Sequence, residues 1–275
     1  MEFSGKTAWI TGASSGIGAA LARDLSQRGA HLVLSGRDEA RLAEVAGDCG
    51  ETLILPFDVR DDDALADATQ QAIGWKDGID IAFANAGVSQ RSRALKTDMS
   101  VYRDLIAIDL TAQIAFSQGL IGHMTQRGRN DHKRSALAFV SSIAGKVGVP
   151  MRTAYCAVKF GLAGYADALR AELSQTGVDV HVIYPGSVAT DVARNAVLAD
   201  GSKRGRSDRA IDEGIPAHEA AREMLDAMAR GEREIIVARG AEAQMGEVRR
   251  TPEALFDQIA GMVTDGYMER MEEGE

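Results

Sequence analysis

The feature that most constrains this chain is a repeat: a short apolar strand, a turn, a helix, then another strand. Thr7-Ala8-Trp9-Ile10-Thr11 reads as the first strand, and a glycine-rich turn, Gly12 to Gly18, follows at once. A helix carrying Leu21 and Leu25 then stops near Arg28-Gly29, and His31-Leu32-Val33-Leu34-Ser35 is the second strand. Further strands are expected at 52–57, 79–84, 136–140 and 178–184, separated by helices at about 38–48, 61–75, 99–125 and 153–175. Such alternation predicts an α/β fold, a doubly wound and mainly parallel sheet in three layers, α/β/α. Ligands of that architecture gather outside the carboxyl ends of the strands. Gly12, Arg37, Asp58, Asn85, Ser142 and Pro185 each follow a strand, so they are expected to share one crevice.

Composition supports a single large domain. The chain has 275 residues, 45% of them hydrophobic, and no low-complexity linker divides it. Residues 1–240 are expected to form the domain and 241–275 a helical extension. A formal charge of -9 disfavours sequence-independent binding of nucleic acid, whose phosphates would be repelled. No apolar run reaches the roughly 20 residues that span a bilayer, so no integral membrane segment is expected. The start lacks the basic and apolar sectors of a signal peptide. Cys49 and Cys156 offer no disulfide framework, which fits a reducing cytoplasm. The five histidines are scattered without ligand spacing, so no metal is expected.

The turn Gly12-Ala13-Ser14-Ser15-Gly16-Ile17-Gly18 lies between strand and helix, where glycines let a pyrophosphate approach the backbone at a helix N-terminus. Its spacing is G-x-x-x-G-x-G. Gly36-Arg37-Asp38 ends the second strand, where an adenosine ribose would lie. An acid there would accept bonds from a free 2′-hydroxyl, whereas an arginine suits a 2′-phosphate. Gly36 leaves room and Arg37 supplies charge, so NADP(H) is the expected cofactor and NAD(H) the alternative. The competing reading leaves Arg37 in solvent and makes Asp38 a helix cap.

Tyr155 and Lys159 are four apart on the helix that starts near Thr153, so they share a face one turn apart. A free phenol titrates near 10, and a neighbouring ammonium favours its ionised form. Ser142, at the end of the strand before that helix, could deliver a hydroxyl to the oxygen of a reacting carbonyl. The bland alternative is an amphipathic helix with an exposed lysine. Cys156 reads as a small buried residue of the same helix rather than a reactive thiol.

Together Thr11 to Gly18, Asn85-Ala86-Gly87, Ser142, Tyr155-Cys156-Ala157-Val158-Lys159 and Pro185-Gly186 make the chain resemble the short-chain dehydrogenase/reductases of the 250-residue type, over roughly residues 4 to 240. Ser141 to Lys146 and Asn195 to Ser202 place the resemblance nearest the branch with steroid- and retinoid-reducing members. The resemblance implies a Rossmann fold and roles for individual residues. Tyr155 would be the general acid/base, Lys159 would hold the nicotinamide ribose, and Ser142 would bond the carbonyl oxygen. Gly12, Ser14, Ser15, Gly16, Ile17, Gly18, Arg37, Asp58, Val59, Asn85, Ala86, Gly87, Tyr155, Lys159, Pro185, Gly186, Val188 and Thr190 would hold the cofactor. Asp58 and Val59 match the adenine contact, Asn85 the residue that supports the central sheet, and Thr190 the contact to the nicotinamide amide. One position departs: Asp109 stands where the family usually has an asparagine that belongs to a proton relay. The resemblance also implies a homodimer or homotetramer.

Substrate choice is expected in three pieces: 88–97, 147–153 and a lid at about 187–216. Lys203, Arg204, Arg206 and Arg209 on the lid either meet an anionic substrate or form an exposed loop face. The basic cluster from Arg127 to Arg134 reads as a solvated loop tip. A helix at about 216–230 and an edge strand at 234–238 follow. A helical pattern at 251–271 could pack on the core, meet a second subunit or cover the pocket. The leading expectation is an NADP(H)-dependent oxidoreductase that interconverts a small carbonyl compound and an alcohol. The rival is a nucleotide-sensing binding protein without turnover on the same fold. Sugar-nucleotide epimerase or dehydratase chemistry also uses Tyr and Lys, but the glycine spacing and the lack of an added substrate domain count against it.

Overall fold

A computed structural model describes residues 1–131, 134–267 and 270, with the side chains of 129–131 excepted. The strands are β1 (Thr7–Thr11), β2 (His31–Gly36), β3 (Thr52–Pro56), β4 (Ile81–Ala84), β5 (Ser135–Val140), β6 (Val178–Pro185), β7 (Val188–Ala189), β8 (Ile215–Pro216) and β9 (Glu234–Val237). The helices are α1 (Gly16–Gln27), α2 (Glu39–Gly47), α3 (Asp62–Gly74), α4 (Met99–Ile106), α5 (Ala112–Asp131), α6 (Thr153–Glu172), α7 (Arg209–Asp212), α8 (Ala217–Ala229), α9 (Gly240–Val248) and α10 (Glu253–Thr264). Seven strands form one parallel sheet in the order β3-β2-β1-β4-β5-β6-β9, and β7 and β8 make a separate short parallel pair. The expected doubly wound α/β fold is therefore present.

Strand residues alternate between two cores, as the pleat requires. Ala8, Ile10, Leu32 and Leu34 pack with α1, α2 and α8 on one face. Trp9 and Val33 pack with α3, α5 and α6 on the other. Helix starts follow capping chemistry: Asp38 accepts from Arg41 N at 3.1 Å and Asp61 from Ala64 N at 3.0 Å. The order reverses between β1 and β4, which opens a crevice at the carboxyl ends of those strands.

Several elements differ from the sequence reading. The long helix is divided by a five-residue π turn, Ala107–Thr111, and runs on to Asp131. Helical length and apolar character over Met99–Gly128 would suffice to cross a bilayer, but Phe116, Leu120 and Met124 are buried against the sheet. Arg127 is not part of a solvated tip. It reaches inward to Asp80 at 2.6 Å, and the same carboxylate meets Lys6 at 3.4 Å and accepts from Thr7 N at 2.9 Å. Of the expected cluster, His132 and Lys133 lie outside the described residues. In the C-terminal part the expected helical extension opens with α9, and the pattern at 251–271 is α10, whose Phe256 is buried beneath Arg170 and Arg233. Of the three options for this stripe, α10 packs along α6; residues 268, 269 and 271–275 lie outside the described chain.

The Asp80 cluster makes a direct stability test. Asp80→Ala leaves the buried Arg127 guanidinium without its carboxylate and is expected to lower the urea-unfolding free energy by about 3–5 kcal/mol. Arg23→Ala removes only the exposed pair with Asp48 and is expected to cost less than about 1 kcal/mol. Equal losses would contradict the role assigned to the buried cluster.

Candidate active site

The glycine turn closes the crevice from below. Thr11 Oγ1 accepts from Asn85 N at 3.0 Å and Ala86 N at 3.1 Å, and Asn85 Nδ2 donates to Thr11 O at 2.9 Å. These bonds staple the ends of β1 and β4 together. A Cβ on Gly18 would lie 2.3 Å from the Gly12 carbonyl oxygen, so a side chain there would force strand and helix apart. Helix α1 starts with no side-chain cap from Ser15 and no acid in its first turn. Its first N–H groups are therefore open to an anion, and the positive end of the helix favours one. Gly16, at φ 55°, brings this turn against Thr190.

At the end of β2, Asp38 is engaged in capping α2, while Arg37 is exposed with no hydrogen bond or ion pair among the described residues. Gly36 is buried beside Ser14, with Ser14 Oγ 3.4 Å from where a Cβ would be. Asp58 is bound by Arg60 at 2.7 and 3.1 Å, and that hydrogen bonding holds its carboxyl below the usual range. Val59 is partly buried against the core on the α3 side.

At the ends of β5 and β6 the chemistry-bearing groups meet. Lys159 is 4% exposed, and its Nζ donates to Val140 O at 3.1 Å. Nζ also lies 3.2 Å from Asp109 Oδ2, an ion-pair contact off the line of a hydrogen bond. Asp109 is fully buried in the π turn, and its Oδ1 accepts from Val88 N at 2.8 Å. Burial raises the Asp109 carboxyl against the pull of Lys159. For Lys159 burial alone would favour the neutral amine, but Asp109 and Tyr155 outweigh it and raise its proton affinity. Gly87 is required beside this pair, because a Cβ there would sit 2.7 Å from Asp109 Oδ2. Lys159 Nζ is 5.6 Å from the Tyr155 ring centroid. Ser142 Oγ accepts from Ala144 N at 3.2 Å and donates to Pro185 O at 3.4 Å, which joins the β5 and β6 ends. Cys156 is half-buried, its sulfur accepting from Val149 N at 3.3 Å.

Other participants lacked a local signature. Gln113, 1% exposed, donates to Ala86 O and Ile108 O, both at 2.8 Å, tying the π turn to the strand end. Its place one turn after Asp109 is the only hint. Glu242 of α9 accepts from Ser187 N at 2.7 Å and Ser187 Oγ at 2.9 Å, and so props the loop after Gly186. Lys146, just past Ser142, is buried with Glu234 at 2.9 Å, and Glu234 also accepts from Thr251 N at 2.7 Å.

The three segments expected to choose substrate come together. Val197 N donates to Ser89 O at 2.8 Å, Arg91 N to Val197 O at 2.9 Å, and Ser92 N to Met151 O at 3.0 Å. Gln90 Oε1 accepts from Ala154 N at 2.8 Å, which fastens the 88–97 loop to the start of α6. Two of the lid cations are already paired, Arg204 with Asp208 at 2.5 Å and Arg209 with Glu213 at 2.8 Å. Among the described residues, no three His, Cys, Asp or Glu side chains come together as metal ligands. A cavity of about 980 Å³ lies apart from this crevice, lined by His181, Arg170 and Phe256.

Comparison with known proteins agrees with this geometry. The family profile described as short chain dehydrogenase matches residues 6–200. The chain is 33% identical over 243 residues to dehydrogenase/reductase SDR family member 7B of Danio rerio, covering 85% of this chain and 77% of that one. It is 34% identical to dehydrogenase/reductase SDR family member 7 of Mus musculus, covering 86% and 71%. Among solved structures, a short chain dehydrogenase/reductase from Burkholderia phymatum in complex with NAD superposes with a TM-score of 0.79 at 21% identity, covering 92% of this chain and 98% of that chain. A short chain dehydrogenase from Burkholderia cenocepacia J2315 in complex with NADP superposes with a TM-score of 0.74 at 23% identity, covering 94% and 99%. The chain belongs to the short-chain dehydrogenase/reductase family of oxidoreductases.

Proposed function

We propose that the protein interconverts a carbonyl compound and an alcohol with a nicotinamide cofactor, NADP(H) in preference to NAD(H). The observation that carries this reading is the buried Lys159 ammonium one helical turn from Tyr155, with Ser142 at the adjacent strand end. When bound, the nicotinamide supplies or accepts a hydride. The open α1 N-terminus and Gly12–Gly18 fit its pyrophosphate, and Arg37, with no hydrogen bond or ion pair among the described residues, fits a 2′-phosphate. Asp38 is spent on its helix cap, which removes the acid that would select a free 2′-hydroxyl.

The remaining work belongs to side chains. Ser142 donates to the substrate oxygen as negative charge develops on it. Tyr155 gives that oxygen a proton in reduction and removes it in oxidation. Lys159 has three donors, and with Val140 and Asp109 facing two of them, a third is left for ribose hydroxyls. Tyr155→Phe is expected to lower kcat/KM for carbonyl reduction by about 10²-fold or more with NADPH affinity largely kept; unchanged turnover would remove the acid/base role. Arg37→Ala is expected to weaken NADPH binding by about tenfold while NADH binding changes little. Equal losses for both nucleotides would defeat the phosphate assignment.

The Asp109–Lys159 pair also favours a second reading, a nucleotide-sensing binding protein in which the carboxylate engages the lysine and turnover is absent. Partner binding that responds to nucleotide, with no turnover across a broad carbonyl panel, would select it. Asp109→Asn tests the pair itself. In the wild type Lys159 is raised, so its stabilising contribution is complete below the unfolded lysine value, about 10.4, and is lost as pH rises through the folded value. In the variant burial acts without the carboxylate, Lys159 falls below that value, and stability rises with pH on the approach to it. Urea-unfolding free energies are expected to differ by about 1–3 kcal/mol near pH 8, and the difference to shrink as pH rises through the folded lysine value. A constant difference would show that the two charges are not coupled.

A further inference from the structure

Arg152 is the N-cap residue of α6, three positions before Tyr155. The residue before it, Met151, has φ 65°, a left-handed conformation uncommon outside glycine. The Met151 carbonyl accepts from Ser92 N at 3.0 Å, and the neighbouring Gln90–Ala154 bond of 2.8 Å fixes the same corner. Strained backbone persists only where the surroundings hold it, and it concentrates at functional sites. Here it fixes the backbone of an arginine that caps the helix carrying Tyr155, close enough for the two side chains to influence each other electrostatically.

Arg152 is half-buried, and among the described residues its side chain makes no hydrogen bond or ion pair. The charged groups around it are Arg91, Asp208, Glu242 and the phenol of Tyr155, contributed by the 88–97 loop, the lid, α9 and α6. Each of the three charged neighbours is engaged elsewhere. Arg91 donates to Asp208 at 2.8 Å, to Ser89 Oγ at 2.7 Å and to Gln90 O at 2.9 Å. Asp208 is shared by Arg91 and Arg204. Glu242 is taken by both donors of Ser187. Burial, aided by the like charge of Arg91, lowers the proton affinity of the Arg152 guanidinium, and the surrounding acids only partly offset it. A half-buried cation with no hydrogen-bonded partner is left only partly compensated. A guanidinium accommodates a carboxylate or phosphate through two parallel N–H···O bonds.

We propose that Arg152 is a specificity-determining residue that receives an anionic group, carboxylate or phosphate, on the substrate whose carbonyl or alcohol lies beside Tyr155. The proposal rests on the oxidoreductase reading and names the substrate class for that site. The anion anchor therefore comes from the start of α6 rather than from the lid residues Arg204 and Arg209, whose charges are already matched.

Two measurements on the full chain separate this proposal from that reading. Calorimetric titration of the NADP⁺-saturated protein compares benzoate with its neutral isostere benzamide, without need of turnover. The wild type is expected to bind benzoate at least about tenfold more tightly, Arg152→Ala and Arg152→Gln to bring the ratio to within about twofold, and Arg152→Lys to keep part of it. Steady-state reduction then compares 4-carboxybenzaldehyde and 4-formylphenyl phosphate with methyl 4-formylbenzoate. A preference for either anion that is lost in both neutral variants, through KM more than kcat, supports the site and names its ligand. A wild type that does not distinguish benzoate from benzamide, or neutral variants that bind NADP⁺ normally and keep the discrimination, would overturn it. Arg152-dependent benzoate binding with no aldehyde reduced would leave the anion site standing and count against the oxidoreductase reading. Reduction of the neutral ester with no Arg152-dependent preference would do the opposite.

Discussion

The geometry of the site depends on keeping one ammonium group charged where little water reaches it. Lys159 Nζ has a strand-end carbonyl on one side and the Asp109 carboxylate on the other. A cation so placed is tolerable only with partners of good geometry, so each neighbour is constrained in turn. Asp109 must point inward, and it does so from a π turn, a local widening often found at functional positions. The chain beside the pair must be glycine, because a methyl group at residue 87 would occupy the space of the carboxylate oxygen. Val88 then supplies the backbone donor that orients the other oxygen. One charge thereby aligns a strand end, a turn and two helices.

The parts of this arrangement that were legible in the sequence are those whose cause is local. A glycine turn between strand and helix, a tyrosine and lysine one turn apart, and hydroxyl or proline residues after apolar runs all carry their meaning within a few positions. A mainly parallel sheet with helices on both faces followed from alternation and periodicity, whereas the strand order came only with the fold. Asp109 was visible as a departure whose carboxylate would perturb Lys159 if buried, but the direct contact depends on the fold, since the partner lies 50 positions away. The division of the long helix left no mark, because the π turn Ala-Ile-Asp-Leu-Thr has ordinary helical composition. Arg127 looked like part of a solvated tip, and only the fold brings Asp80 beneath it. Glu242 is the extreme case: nothing near it in sequence announces that it will prop the loop after β6.

Electrostatics also divides the crevice into two ends. At the ends of β1 and β2 the positive groups are the exposed Arg37 and the N-terminus of α1, neither engaged by a side-chain partner among the described residues. On the side of the 88–97 loop the cations Arg91 and Arg204 converge on Asp208, and this pairing joins the 187–216 segment to that loop. The 187–216 segment is thus fastened by directional charge contacts and the short β7–β8 ladder, together with Val188 and Ile215, which are buried in the core on the α1 side.

The buried pair of Lys146 and Glu234 has a consequence for biogenesis. Its acid sits on β9, the last strand to join the sheet, and Thr251 beyond it completes the acid's coordination. During vectorial synthesis the glycine turn, the first five sheet strands and Lys146 emerge well before Glu234 and Thr251. A nascent chain can therefore pair its first five sheet strands while the segment just past Ser142 still lacks its counter-charge. Long-range parallel pairing is slow to form, so the Lys146–Glu234 pair is completed only after most of the polypeptide has left the ribosome.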